Sequence, residues 1–124
     1  MALIKIYSEH SLDEVAAIAR LIKLVCAAAL NCPTMPTNPS QVETVMSTGL
    51  DLVGIDYILE VVGCERPDMQ GIGDAIIAGL NAVYPEKFFS VYFNLISEAG
   101  MSATLRQRID DEPISMAQAI EQAK

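Results

Sequence analysis

The sequence predicts an α+β fold: two consecutive βαβ units forming a four-stranded mixed sheet with both helices on one face. Three observations carry this expectation. The N-terminal stretch ALIKIY, alternating and β-branched, leads into a long amphipathic segment. The order strand, turn, amphipathic helix, strand then recurs, better defined, over residues 54–100. Finally, 124 residues suffice for one core and not for two. Residues 1–124 are therefore expected to form one domain. Its first unit spans 2–47, its second 54–100, and a C-terminal extension occupies 101–124.

Taken in order, residues 2–7 suit a strand and residues 8–11 turn the chain. Ser11 is a good N-cap, and Asp13 and Glu14 lie favourably at the positive end of the helix that follows. From Leu12 the apolar positions Val15, Ile18, Leu21, Ile22, Val25 and Ala29 recur at helical spacing, with Arg20 and Lys23 outward. Asn31 is a plausible end, and Pro33 forbids continuation. Pro33, Pro36 and Pro39 make the next segment a loop. Residues 41–47, QVETVMS, alternate as a strand; the competing reading is a helix over 40–53.

The second unit starts with a buried strand over 55–62 and turns through 63–68, where Pro67 and Asp68 mark a helix start. Met69, Ile72, Ile76, Leu80 and Val83 form its apolar stripe, and Pro85 stops the helix. Residues 88–96 then alternate. Phe89, Val91, Phe93 and Leu95 are expected beneath the helix, with Ser90, Tyr92 and Asn94 on the other face. The extension is polar until residues 114–123, which form a terminal helix too short to stand unless it docks.

Composition narrows the function classes. Apolar residues at 52% and charged residues at 19% describe a globular chain. A net charge of −8 speaks against nucleic acid or an anionic membrane surface as partner, because phosphate binding requires a basic face. The apolar segment 15–30 contains Arg20 and Lys23, so it is a core helix and not a membrane span. Cys26, Cys32 and Cys64 form no CxxC pair and are odd in number, which predicts reduced thiols and a cytoplasmic location. There is no P-loop, GxSxG elbow or HExxH, and Gly71, Gly73 and Gly79 miss the dinucleotide spacing. No cofactor or metal is expected, and the lone His10 reads as a surface turn residue.

The starting strand ALIKIY followed by SLDE and a long helix, its echo in DYILEVVGCERPDMQG, and the strand FSVYFNLISEAGMSATL together resemble the tautomerase superfamily. That superfamily includes 4-oxalocrotonate tautomerase and macrophage migration inhibitory factor. The resemblance covers roughly residues 2–105 and is one of pattern. It implies a homo-oligomer, most simply a trimer, in which the uncovered sheet faces line the inside of a barrel. It also implies keto–enol proton transfer on a small 2-oxo acid or enol by an N-terminal proline, near arginines that hold the substrate carboxylate. Here the residue after Met1 is Ala2. Its amine, with an ordinary pKa of about 7.7–8.0, acts as base or nucleophile only once Met1 is removed.

The same resemblance places Arg66 in the turn after the third strand, where a guanidinium can grip a carboxylate bidentately; the alternative is a surface ion pair with Glu65 or Asp68. Arg106 and Arg108 follow the last hairpin and either reach a neighbour's pocket or are solvated. Alternation points Lys5 to the uncovered face, where it either neutralises an anion or snorkels to solvent, and sets there too Tyr92 and Asn94, which either orient a small anionic ligand or bond across a subunit interface. Cys64 near Arg66 is either an activated thiol or an inert buried one. Two function classes follow: a tautomerase-like binder of small 2-oxo acids, or a catalytically silent oligomer of the same fold. A purely topological likeness to another ferredoxin-like binding module is a third.

Overall fold

The computed structural model describes residues 2–96 and 112–124. The elements run β1 (Ala2–Ser8), α1 (Leu12–Leu30), a short 3₁₀ turn (Pro39–Gln41), β2 (Val42–Ser47), β3 (Tyr57–Gly63), α2 (Met69–Val83), β4 (Phe89–Leu95) and α3 (Met116–Ala123). The sheet order is β2-β1-β3-β4. β1 pairs parallel with β2, β3 pairs parallel with β4, and the two units meet where β1 runs antiparallel to β3.

Local chemistry accounts for the elements. Ser11 Oγ accepts from the Glu14 amide at 3.4 Å and opens α1. The helical alternative for residues 40–53 does not form. After the single 3₁₀ turn capped by Asn38, the β-branched run from Val42 joins the edge of β1, where its backbone is satisfied by the ladder. Asp68 caps α2 from a left-handed conformation, φ 56°, and accepts from Gly71 N at 3.0 Å. Gly71 is needed there because a Cβ would overlap that carboxylate.

The core lies between the sheet and the helices. Ile4 and Ile6 of β1, Leu59 and Val61 of β3, Ile22 and Val25 of α1, and Ile76 and Leu80 of α2 are all buried. Each such side chain contributes roughly 1.5–3 kcal/mol by leaving water. Val91 and Phe93 pack against this core, whereas Leu95, expected beneath α2, is 45% exposed at the end of its strand. The C-terminal helix docks on α1 and α2, with Ala119 fully buried. Gly79 makes room for it, since a Cβ there would lie 2.7 Å from Met116 Sδ and 3.0 Å from Val25 Cγ1.

All of this packing uses one face of the sheet. The other face carries Leu3, Lys5 and Tyr7 of β1, Ile58, Glu60 and Val62 of β3, and Ser90, Tyr92 and Asn94 of β4. No described helix covers it. No helix among the described residues is long and apolar enough to cross a membrane.

Candidate functional site

Register alone brings the first group of candidates together. Lys5 lies opposite Glu60, and Glu60 opposite Tyr92, so three polar side chains form one row across the uncovered face. Tyr7 and Asn94 stand one pleat away on either side. Their side chains converge on the Glu60 carboxylate. Oε1 accepts from the Tyr7 hydroxyl at 3.1 Å and lies 3.8 Å from Lys5 Nζ, while Oε2 accepts from Asn94 Nδ2 at 3.2 Å.

Glu60 is only 8% exposed although it belongs to a face without a helix, because its neighbours close over it. Burial alone raises a carboxyl pKa. Here the hydrogen bonds from Asn94 and Tyr7 and the charge of Lys5 outweigh burial and hold Glu60 below the ordinary glutamate value. The same contact raises the Tyr7 pKa, since its proton bonds to a carboxylate. Tyr92 is raised as well, first by desolvation and then by the Glu60 charge. The cluster is thus electrically neutral as a unit, with donors reaching the surface and the acceptor beneath them. Tyr92 is 45% exposed.

The remaining candidates lie elsewhere. Arg66 is 3% exposed. Its Nε donates to Leu30 O at 2.8 Å, Nη1 to Cys64 O at 2.9 Å and Nη2 to Thr37 Oγ1 at 3.2 Å. Desolvation draws its pKa below the usual guanidinium value. So placed, Arg66 ties the end of α1, the proline-rich loop and the turn after β3 to one another, and neither surface ion pair nor open carboxylate fork is formed. Ala2 is buried at the start of β1, between Val42 and Gly63. Cys64 is buried in the same turn. Arg106 and Arg108 lie outside the described residues.

Two features escape sequence reasoning. Glu60 is one carboxylate among sixteen acidic residues, and only the β1–β3 and β3–β4 registers make it a centre. His10 is not a free surface turn. Its Nε2 lies 2.8 Å from Asp56 Oδ1 and its Nδ1 3.0 Å from Glu14 Oε2, and its ring rests against Tyr57 at a 5.3 Å centroid distance. It fastens the β1–α1 turn to the approach of β3. Among the described residues no three His, Cys, Asp or Glu side chains gather to hold a metal.

A cavity of about 260 Å³ opens on the helix side of β4, lined by Met69, Gln70, Gly73, Asp74, Ile77, Val91 and Phe93. It contains none of the candidate residues.

Several solved structures share this architecture. A malonate semialdehyde decarboxylase, described as having decarboxylase and hydratase activities, superposes with a TM-score of 0.59 at 15% identity, over 85% of this chain and 92% of that chain. A fused 4-OT, a symmetric trimer, gives 0.57 at 14% identity over 94% and 98%. MIF2 of Leishmania major gives 0.54 at 15% identity over 82% and 94%. The chain has the tautomerase fold. At these identities the likeness establishes the tautomerase fold alone. No family model matches the sequence, and no curated protein matches it at significant similarity. The βαβ–βαβ arrangement expected from the sequence and its resemblance to the tautomerase superfamily are borne out at the level of fold.

Proposed function

We propose that this chain acts as a homo-oligomer, a trimer, that binds a small 2-oxo acid or its enol at a subunit edge. The observation that carries the reading is the convergence of Lys5, Tyr92 and Asn94 on one point of a sheet face that no described helix covers. A half-apolar sheet face is seldom left bare, and the fused 4-OT of the same fold is a symmetric trimer. Hydroxyl, carboxamide and ammonium donors on one patch suit a carbonyl or enol oxygen. The Ala2 amine, freed by removal of Met1, is the group proposed to move the proton, and Arg106 remains the candidate partner for the ligand carboxylate. Neither a cofactor nor a metal enters this reading, and it places the protein in the cytoplasm.

The test is ketonisation of phenylenolpyruvate by wild type, Tyr92→Phe and Asn94→Ala, with the N-terminus identified by intact mass and the assembly sized by light scattering. A rate above buffer that falls at least about tenfold in both variants is expected for an enzyme of this kind. A wild-type rate equal to buffer overturns the catalytic part, and a monomer overturns the oligomeric part. A second reading, a catalytically silent oligomer, is favoured by Arg66, whose guanidinium is bonded within the chain, and by Ala2 at the position where the resemblance calls for proline. It predicts a trimer with no turnover.

A further inference from the structure

The cluster on the uncovered face already contains a carboxylate of its own. We infer that Glu60 fills, from within the chain, the anion position of this face, so that the cluster takes the uncharged keto or enol oxygen of a ligand and holds any ligand carboxylate off itself unless Glu60 is neutralised. The inference rests on the reading of this face as the ligand-binding one.

The donor set is one that grips anions: an ammonium from Lys5, a hydroxyl from Tyr7 and a carboxamide from Asn94, each directed at one carboxylate. Tyr92 completes the row on the β4 side. Accessibility runs in the opposite order to charge need. In the single chain the Lys5 side chain is 42% exposed and that of Glu60 is 11% exposed, so a ligand that enters between subunits along this face meets the donors first and the internal acceptor lies below them.

Charge sets the preference. Lys5 and Glu60 cancel, which leaves no net positive charge to draw in an anion. A second carboxylate bonded to the same donors would sit beside Glu60, and two like charges at that spacing do not both stay ionised. Among the described residues the neighbouring strands supply no further cation. β2 sets Val45 beside Lys5 and Glu43 beside Leu3, while β4 contributes Tyr92, Ser90 and Asn94. A carbonyl or hydroxyl oxygen brings no such conflict. It takes a hydrogen bond from Tyr92 or Asn94 while Glu60 stays paired with Tyr7 and Lys5. The group taken by the cluster is therefore a ketone, enol or phenol oxygen, and an oxo acid binds by that end with its carboxylate directed away from Glu60.

The test uses the full chain, with acetophenone and phenylacetate as unreactive probes followed by amide chemical shifts. Wild type is expected to bind acetophenone at least about tenfold more tightly than phenylacetate, with shifts centred on Lys5, Tyr92 and Asn94. Glu60→Gln is expected to tighten phenylacetate by at least about tenfold, and adding Lys5→Met to abolish that gain. Equal phenylacetate affinity in wild type and Glu60→Gln, or no binding of phenylacetate to a folded Glu60→Gln, overturns the inference. Should the variant not fold, the wild-type comparison decides: a preference for phenylacetate, or no acetophenone shifts on this face, overturns it. These outcomes are independent of turnover, because neither probe contains the reacting 2-oxo acid. Failure of catalysis and failure of this inference are thus told apart.

Discussion

Replacing Arg66 by alanine separates its two roles most sharply. The guanidinium is 3% exposed and donates to Leu30 O, Cys64 O and Thr37 Oγ1. Hydrogen bonds from a charged donor contribute roughly 1.5–3 kcal/mol each, so three of them set an upper bound of about 9 kcal/mol. Holding the ion out of water offsets part of that gain. The truncation also leaves two backbone carbonyls and a hydroxyl buried without this donor, at roughly 1–3 kcal/mol for each one that water cannot reach. We expect a net loss of about 3–5 kcal/mol, a large share of the roughly 5–15 kcal/mol typical of a domain. Arg66→Lys is expected to recover less than half of it, because a single ammonium cannot span three acceptors held in a fork. Urea unfolding followed by circular dichroism measures both. A loss under about 1 kcal/mol in Arg66→Ala with unchanged slope would refute the structural role and return Arg66 to the list of ligand groups.

Four further expectations follow from single contacts. Asp68→Ala removes a cap and leaves a Cβ in left-handed backbone, and is expected to cost about 1–2 kcal/mol, with Asp68→Asn close to neutral and Asp68→Gly between them, read from thermal melts. Val53 is 88% exposed with φ 54°, an unfavourable conformation for a β-branched side chain, so Val53→Asn is expected to stabilise by about 1 kcal/mol in the same assay. Desolvation opposes ionisation of both Glu60 and Asp56, but hydrogen bonds to Asn94 and Tyr7 and to Phe88 N and His10 lower both values. Their contribution to stability is therefore complete above the ordinary values of 4.5 and 3.8 and is lost as pH falls through the lower folded values, so Glu60→Gln should flatten the acid limb of a melting-temperature profile. Burial pushes the Cys26 thiol up to about 12, whereas the Thr34 hydroxyl and neighbouring backbone lower that of Cys32, so Cys32 is expected to react with Ellman's reagent at least about tenfold faster; equal rates would contradict the packing of α1.

The two βαβ units were legible because each element carries its own local signal. Ser11 and Asp68 cap, Pro33 and Pro85 stop, and β1 and β4 alternate with period two. Residues 40–53 were ambiguous for a physical reason: an edge strand is decided by its partner, and only pairing with β1 excludes the helix. The face of Lys5, Tyr92 and Asn94 followed from alternation, while the centre they share did not, because strand register is a non-local property. Arg66 shows the limit of the same logic. A turn arginine beside a helix start has the same sequence signature whether its fork meets a ligand or the carbonyl of Leu30, thirty-six residues earlier.

Outside residues 40–53, the sequence by itself therefore determined the order and type of the elements, the apolar face of most of them, and the presence of one sheet face with mixed polarity. These depend on spacings of two and 3.6 residues and on caps within a few residues. The tertiary structure decided what the polar groups do. It enclosed Arg66 between two carbonyls and a threonine hydroxyl from three segments, fastened His10 between Glu14 and Asp56, and set Glu60 under the donors of β1 and β4. Those assignments depend on groups tens of residues apart reaching hydrogen-bond distance, and no local pattern encodes a distance across a sheet.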